Sequence, residues 1–456
     1  MGGAVSAELA GVVEGKVVAQ DDAGYEESRA LFNAMIDKRP AAIAYCVSEQ
    51  DVAAAIAYAR REELRIAIRC GGHNGGGLGS VDDGIVIDLS AMKGITVDSA
   101  ARTVRAQGGV LASELDAATH EHGLAVPVGI IGTTGVGGLT LGGGTGHLTR
   151  AAGLTIDHLI AATVVLADGS IVETDAEREP DLFWAIRGGG GNFGVVTSFT
   201  FTCVPVANVV AGPMFWPIER TEEILSWYRD FLGEQPTELG GFFNFHSVPP
   251  VDLFPEQYHL DHVCGVVWCC TDLENADELL APARALAPII DGAAEVPLPA
   301  MNTAFDALYC PGDQWYWRAA FLGEVSDEAV AANAEWGRKM PTWKSGMHMY
   351  PVDGVASQVG NDETAWAFRD AKWVQVIVGV DPEPASAGAL RDWAVGYSEA
   401  IYPHSLGGAY VNMIMDEGQE RVRASYRDNY ARLAKIKAHY DPQNVFNVNQ
   451  NILPEA

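Results

Sequence analysis

The 456-residue chain is long enough for about two or three domains with substantial cores, and with 48% hydrophobic and 20% charged residues it has the composition of an ordinary soluble globular protein. Its 60 acidic and 30 basic residues give a net charge of −30. That balance argues against nucleic acid or an anionic membrane surface as a partner, because both are bound through basic patches.

The acidic excess reads either as a well-solvated surface or as adaptation to a salty cytoplasm, where screening removes self-repulsion. Seven cysteines (Cys46, Cys70, Cys203, Cys264, Cys269, Cys270 and Cys310) are scattered without a CxxC pair, so neither a zinc knuckle nor a disulfide framework is indicated. The opening MGGAVSAELAGVVEG lacks the basic start and apolar run of a signal peptide. No stretch approaches the roughly 20 apolar residues of a membrane helix, and a cytoplasmic protein is expected.

Residues 27 to 60 read as helical at both ends, SRALFNAMI and DVAAAIAYARREE, with a β-prone IAYCV between them and Asp51 placed to cap the second helix. They lead into a short strand, Ile66 and Ile68, and then into the glycine-dense loop RCGGHNGGGLG. Glycines there let successive backbone N–H groups converge on an anion. His73 at the loop's tip is unexplained by phosphate binding alone. GIVIDLS and ITVDSAARTVRAQGG alternate as short strands with a turn near Ser99, and VLASELDAATHEHG reads as an amphipathic helix closed by Gly123. GIIGTTGVGGLTLGGGTG carries too many glycines for a regular element; IDHLIAATVVLADGSIVET is a hairpin; DLFWAIRGGGGNFGVVTSFTF is a helix stopped by glycines and followed by a strand. Three glycine clusters before residue 200 mark one ligand-binding domain.

Beyond residue 205 aromatic residues rise and long glycine runs vanish, as in a cap that faces substrate. AKWVQVIVGV is a strand with Trp373, Gln375 and Ile377 on one face. Gln375 is therefore either a buried, satisfied amide or an active-site group. Residues 419 to 439 read as one long charged helix. His259, His262 and Cys264 hint at a metal site but lack a third well-placed ligand, so no metal is expected; His147 reads as a structural loop histidine.

Taken together, RCGGHNGG, GTTGVGGLTLGGGTGHLTRAAGL, DLFWAIRGGGGNFGVVTSF and DPQNVFNVNQNI, in this order, resemble the berberine-bridge-enzyme-like branch of the vanillyl-alcohol oxidase flavoproteins. The resemblance implies an α+β fold: a two-subdomain FAD-binding domain over 1–205, an α+β substrate cap with an antiparallel sheet over 206–405, and a C-terminal segment over 406–456 that returns to the FAD domain. It implies that Arg69, Cys70, Gly71, Gly72, His73, Asn74 and Gly75 wrap the FAD diphosphate, with His73 joined covalently to the flavin. Thr133, Thr134, Gly135, Gly137 and Gly138 would line the cofactor, Gly190, Gly194 and Val195 would complete its wall, and Asn449 would lie near the ring system.

Ile131 stands where many members carry a second, cysteinyl attachment, which leaves His73 as the single expected tether; Cys70 reads as a small packing residue of the loop. Thr134, valine-like in shape, occupies the position associated with oxygen access. The family's Tyr-x-Asn-Tyr motif reads Tyr410, Val411, Asn412, Met413, so Tyr410 is the candidate base, with Asn412 beside it and Gln375 positioning substrate. The implied reaction moves hydride from the alcohol carbon of a sugar or secondary metabolite to the flavin and then electrons to O2, giving hydrogen peroxide. A dehydrogenase with another acceptor, or a flavin-binding member with little turnover, are the alternatives.

Overall fold

A computed structural model describes residues 7–455; Met1 to Ser6, the beginning of the stretch read for a signal segment, lie outside the described residues. The fold is α+β, built on three sheets. The first joins β1 (Val17–Ala19), β2 (Ala42–Tyr45), β3 (Ile66–Arg69) and β4 (Ile85–Asp88) in the order β1-β2-β4-β3, with β2 and β3 both parallel to β4. Ile43, Ile85, Val86 and Ile87 are fully buried, as expected where a parallel sheet is covered on both faces. The second sheet contains β5 (Ile95–Asp98), β6 (Thr103–Gln107), β7 (Leu159–Val165), β8 (Ile171–Asp175) and β9 (Val195–Thr202), all antiparallel, in the order β5-β6-β9-β7-β8.

The third sheet is eight-stranded and antiparallel: β10 (Asn208–Pro217), β11 (Leu239–Ser247), β12 (His262–Cys270), β13 (Ile290–Asp291), β14 (Ala294–Pro297), β15 (Gln314–Leu322), β16 (Gly346–Pro351) and β17 (Trp373–Asp381). The order is β13-β10-β12-β11-β16-β17-β15, with β14 also on β10. Alternation along these strands gives the sheet two apolar faces. Phe243, Phe245, Met347, Met349, Trp373 and Ile377 pack with the residues of helices Thr221–Leu232, Asp327–Gly337 and Ala387–Ile401. Phe242, Trp315, Trp317, Tyr350, Val374, Val376 and Val378 belong to the opposite core, together with Phe32, Ile130, Tyr410 and Met415 from the rest of the chain.

Buried polar anchors fix the cap sheet to the glycine-rich half. Arg150, at 3% exposure, donates to the carbonyls of Leu232, Gln235, Pro236 and Leu239 and to the Asp353 carboxylate, so one guanidinium holds the last carbonyl of helix Thr221–Leu232, the loop after it and the start of β11. The C-terminal segment is tied back by Lys437, fully buried, whose ammonium donates to Asp441 and to the carbonyls of Asn192 and Phe446.

Four local expectations change. SRALFNAMI contributes only the end of a short helix, Tyr25–Arg29. Beyond it the chain is captured by distant partners: Phe32 N–H donates to Gly72 O, and Ala34 N–H to Asp313 O. Helix Glu49–Arg61 is capped by Ser48, whose hydroxyl accepts from Asp51 N–H, while the Asp51 carboxylate accepts from the backbone of Glu14, Gly15 and Val47. The second glycine cluster does hold a helix, Val136–Leu141. The long C-terminal helix is two, Gln419–Tyr426 and Asn429–Tyr440, broken at Arg427, whose φ is 46° and whose guanidinium lies over the Phe368 ring.

Candidate active site

The three glycine clusters, the C-terminal segment and the inner face of the third sheet converge on one large cavity. Arg69 ends β3 directly opposite Asp88 on β4; its Nε donates to that carboxylate and one Nη to Ser28 O. The other, Nη1, is buried and has no hydrogen-bond partner among the described residues, and Arg69 lines the cavity. After it the loop turns at Gly72, φ 69°, a conformation that favours glycine. The first two glycine loops interlock, since a Cβ on Gly71 would stand 2.5 Å from Gly135 N and one on Gly135 would stand 2.4 Å from Cys70 Sγ.

His73 Nε2 is 2.9 Å from Thr133 Oγ1, and its ring stacks on Phe32 with centroids 4.0 Å apart. Burial pushes the imidazole down to about 4, so it is neutral at neutral pH. If Nε2 carries the proton toward Thr133, the Nδ1 lone pair is left free, which is the form a nucleophilic imidazole needs. Asn33 fixes the outer part of the loop: its amide donates to Gly75 O and Trp315 O, and its oxygen accepts from Trp315 N–H.

On the second cluster, Thr134, Gly135, Gly137 and Gly138 line the cavity. Gly142 to Gly144 are clasped by the C-terminal segment. Gly144 N–H and the Asn412 amide both donate to the Tyr410 hydroxyl, each over 2.9 Å, and Asn412 also reaches Leu139 O. Burial holds the Tyr410 phenol above its usual range despite these donors. In the third cluster Gly190 turns with φ 73°, and Asn449 donates to Gly191 O and Phe446 O. The Asn449 oxygen is buried and unpartnered among the described residues.

Most of the residues singled out from the sequence therefore meet at the cavity: Arg69, Cys70, Gly71, Gly72, His73, Asn74, Thr134, Gly135, Gly137, Gly138, Gly190, Gly194, Tyr410, Asn412 and Asn449. Four do not line it. Thr133 acts through its hydrogen bond to His73. Gly75 backs onto the Trp317 indole, 2.4 Å from where its Cβ would be. Val195 belongs to the core beneath β3 and β4, because alternation along β9 sends Val196 to the cavity instead. Gln375 is the clear correction: it is 1% exposed on the helix side of β17, where its amide donates to Asn333 Oδ1, and its neighbours Val376 and Val378 face the cavity.

The cap contributes a group that the sequence reading passed over. Tyr309, His348 and Tyr350 line the cavity. His348 Nδ1 is 2.7 Å from Tyr350 Oη, and His348 Nε2 is 2.9 Å from Nε2 of His246 on the adjacent strand β11. Burial depresses both imidazoles, His246 to about 4 and His348 well below its usual value. The signal was present in FFNFHS and GMHMYP, where polar residues alternate with apolar ones.

An FAD-sized ligand fits these walls on chemical grounds. The unpartnered Arg69 Nη1 is a cationic donor beside a glycine loop, which suits a diphosphate. The unpartnered Asn449 oxygen, the Tyr426 hydroxyl and the Trp315 and Trp317 indole N–H groups are further polar atoms among the lining residues. A Cβ on Gly138 or Gly191 would meet no protein atom within 4 Å, so at these lining positions the protein itself does not demand glycine.

The chain matches the FAD binding domain family over residues 40–175 and the berberine and berberine-like family over residues 409–453. It is 30% identical over 449 residues to an uncharacterized FAD-linked oxidoreductase of Bacillus subtilis, covering 96% of this chain and 97% of that protein. It is also 30% identical over 459 residues to (R)-6-hydroxynicotine oxidase of Paenarthrobacter nicotinovorans, covering 97% and 98%. Among solved structures, 6-hydroxy-D-nicotine oxidase of Arthrobacter nicotinovorans superposes with a TM-score of 0.86 at 26% identity over 97% of this chain and 98% of that one. Glucooligosaccharide oxidase of Acremonium strictum, described with a 6-S-cysteinyl, 8α-N1-histidyl FAD, gives 0.85 at 26% identity over 99% of each chain.

Proposed function

The chain belongs to the berberine-bridge-enzyme-like FAD-linked oxidoreductases, and from that footing we propose that it is an oxidase of neutral, hydroxyl-bearing small molecules, a sugar or a secondary-metabolite alcohol, with O2 as electron acceptor and hydrogen peroxide as product. FAD, when bound, supplies the two-electron acceptor that takes hydride from the alcohol carbon. The observation that carries the reading is the charge of the cavity wall: among the described residues that line it, Arg69 is the one charged side chain and no Asp or Glu is present. A cationic amine would find no counter-charge there, whereas a neutral polyol or aromatic alcohol finds the Trp315, Trp317, Tyr309 and Tyr350 surfaces and indole N–H donors.

His73 is the proposed covalent tether, and the only one. Ile131 lines the cavity without a nucleophile. The Cys70 thiol is pushed up to about 12 by burial, so it stays protonated and inert at neutral pH. Arg69 Nη1 and the loop amides would hold the diphosphate, and Asn449 would meet the ring system. Tyr410 has an oxygen that already accepts two N–H bonds and faces no described imidazole or carboxylate that could take its proton, which suits it to donate to a substrate oxygen rather than to take its proton. Thr134 brings only a small side chain to the wall, consistent with oxygen reaching the site.

Anaerobic mixing of the purified protein with a panel of neutral alcohols and oligosaccharides, followed by mixing with air, tests this reading. Flavin bleaching by a neutral alcohol and fast reoxidation with peroxide release are expected. Bleaching by amines alone would refute the substrate class; reoxidation on the scale of minutes would favour a dehydrogenase.

A further inference from the structure

The cap's buried histidine pair lies behind the cavity wall in a chain of hydrogen bonds whose two ends are both phenols of the same cavity. Tyr350 Oη is 2.7 Å from His348 Nδ1, His348 Nε2 is 2.9 Å from His246 Nε2, and His246 Nδ1 is 3.5 Å from Tyr309 Oη, which is also 3.4 Å from His348 Nε2. Tyr309, His348 and Tyr350 line the cavity and His246 does not.

The donor count allows two neutral arrangements in which each link is satisfied, one running from Tyr350 to Tyr309 and its reverse, and the first is the one from which a proton can be passed away from Tyr350. Two Nε2 atoms facing each other need one proton between them. With Tyr350 donating to His348 Nδ1, His348 must be the Nε2–H tautomer and donate to His246, which is then the Nδ1–H tautomer and directs its proton toward Tyr309. Opposite tautomers on adjacent histidines give the chain a direction.

We propose that Tyr350 takes the proton of the substrate hydroxyl and that the His348–His246 pair relays it to Tyr309. This rests on the alcohol-oxidising reading given above. As the substrate O–H bond breaks, a bond forms to Tyr350 Oη; the Tyr350 proton passes to His348 Nδ1, the His348 Nε2 proton to His246 Nε2, and the His246 Nδ1 proton to Tyr309, whose own proton passes to solvent water. FAD, when bound, would take the substrate's hydride, which carries the electron pair. One proton enters and one leaves, and the reverse passage resets the tautomers.

The surroundings explain why a relay suits this pair better than a stored charge. The groups facing the imidazoles are Phe242 from β11, Phe305 and Tyr309 from the segment before β15, Tyr350 from β16, and His147 from the second glycine cluster. No carboxylate, lysine or arginine is among the groups that shift either histidine. An imidazolium there would be desolvated and unpaired, so protons are passed on rather than held. In this scheme Tyr350 touches substrate, and His246 is a positioning residue acting through His348.

The holoenzyme labelled with 15N-histidine provides a test that needs no substrate. Ring-nitrogen spectra of the wild type, assigned with His246→Asn and His348→Gln, are expected to show two neutral histidines of opposite tautomer from about pH 5 to 8, with the His348 Nδ1 resonance shifted in Tyr350→Phe. Matching tautomers, or an imidazolium at neutral pH, would overturn the relay. In stopped flow with the alcohol that bleaches the wild-type flavin fastest, Tyr350→Phe is expected to slow reduction by about 10²-fold or more with KM nearly unchanged. His246→Asn should slow it less and alter its pH profile. Wild-type rates and pH profile in Tyr350→Phe would sink the proposal while leaving the alcohol reading intact. If amines alone bleach the wild-type flavin, the alcohol reading fails and the proposal with it.

Discussion

The imidazole of His73 lies between two groups that come from opposite directions in the chain: Thr133, whose hydroxyl is 2.9 Å from Nε2, and Phe32, whose ring is stacked 4.0 Å from it. Together they fix one ring orientation in a histidine that burial keeps neutral. Acid-precipitated wild-type protein should therefore stay yellow, and His73→Ala should release all of its flavin into the supernatant. Thr133→Val should fold and bind FAD but incorporate it covalently more slowly, by about 10-fold if one hydrogen bond of roughly 1.5 kcal/mol orients the ring. A flavin-labelled peptide that maps to any residue other than His73 would refute the single-tether assignment.

Asp116 provides a pH signature of the contact between the FAD half and the cap. It is buried on helix Ala112–His120, accepts from the Asn302 amide, and burial pushes its carboxyl up to about 7. In the unfolded chain an aspartate titrates near about 3.9. Between those values the native state holds the extra proton, so this group's contribution to stability is full below about pH 4, falls as pH rises toward 7, and is constant above. Asp116→Asn should remove that slope. The expected gain over the wild type is about 2–4 kcal/mol at pH 8 and near zero at pH 4, measured by urea unfolding at both values. Equal differences at the two values would count against it.

Arg150 predicts a loss that lysine cannot repair. Its fork serves four carbonyls and one carboxylate, and Arg150→Met would remove this charged donor from all five, leaving Leu232 O and Pro236 O only their backbone N–H partners, at a cost of about 3–5 kcal/mol. Arg150→Lys should recover only a small part, since a single ammonium cannot span the same acceptors. Thermal melts of the two variants decide this.

The glycine loops were legible in the sequence because each is a local pattern, RCGGHNGG, GTTGVGG and RGGGGNFG, although long-range contacts lock them together in the fold. The cap was legible only as strands. Period-two alternation put Trp373, Gln375 and Ile377 on one face, and that is how they lie. Nothing in the alternation says which face meets the cavity, because both faces of this sheet are buried. The same ambiguity hid His246 and His348, which come together only through the pairing of β11 with β16. Likewise, no propensity argument could see that Gly72 and Asp313 would draw residues 32–34 out of a helix.

Gln375 supplies a control from that misjudged face. Its amide and the Tyr397 hydroxyl share Asn333 Oδ1 inside the helix-side core. Gln375→Met should leave KM and flavin reduction unchanged and cost about 1–2 kcal/mol in unfolding, the price of one buried amide bond. A KM shift without a stability loss would return Gln375 to the site.

Gly138 separates the cofactor from the fold. It lies within helix Val136–Leu141 and lines the cavity, and a Cβ added to it would have no protein atom within 4 Å. In a helix, Gly→Ala stabilises by about 0.5–1 kcal/mol when the added methyl meets nothing. Gly138→Ala should therefore raise the midpoint of apoprotein unfolding slightly while reducing FAD retention, because the methyl enters space that the ligand needs. Gly137 beside it is different: its Cβ would press on Gly108 O at 3.1 Å, so Gly137→Ala should destabilise the apoprotein too. Unfolding of flavin-free protein and the ratio of flavin to protein after purification measure the two effects independently. Full FAD retention in Gly138→Ala would show that the helix does not face the cofactor.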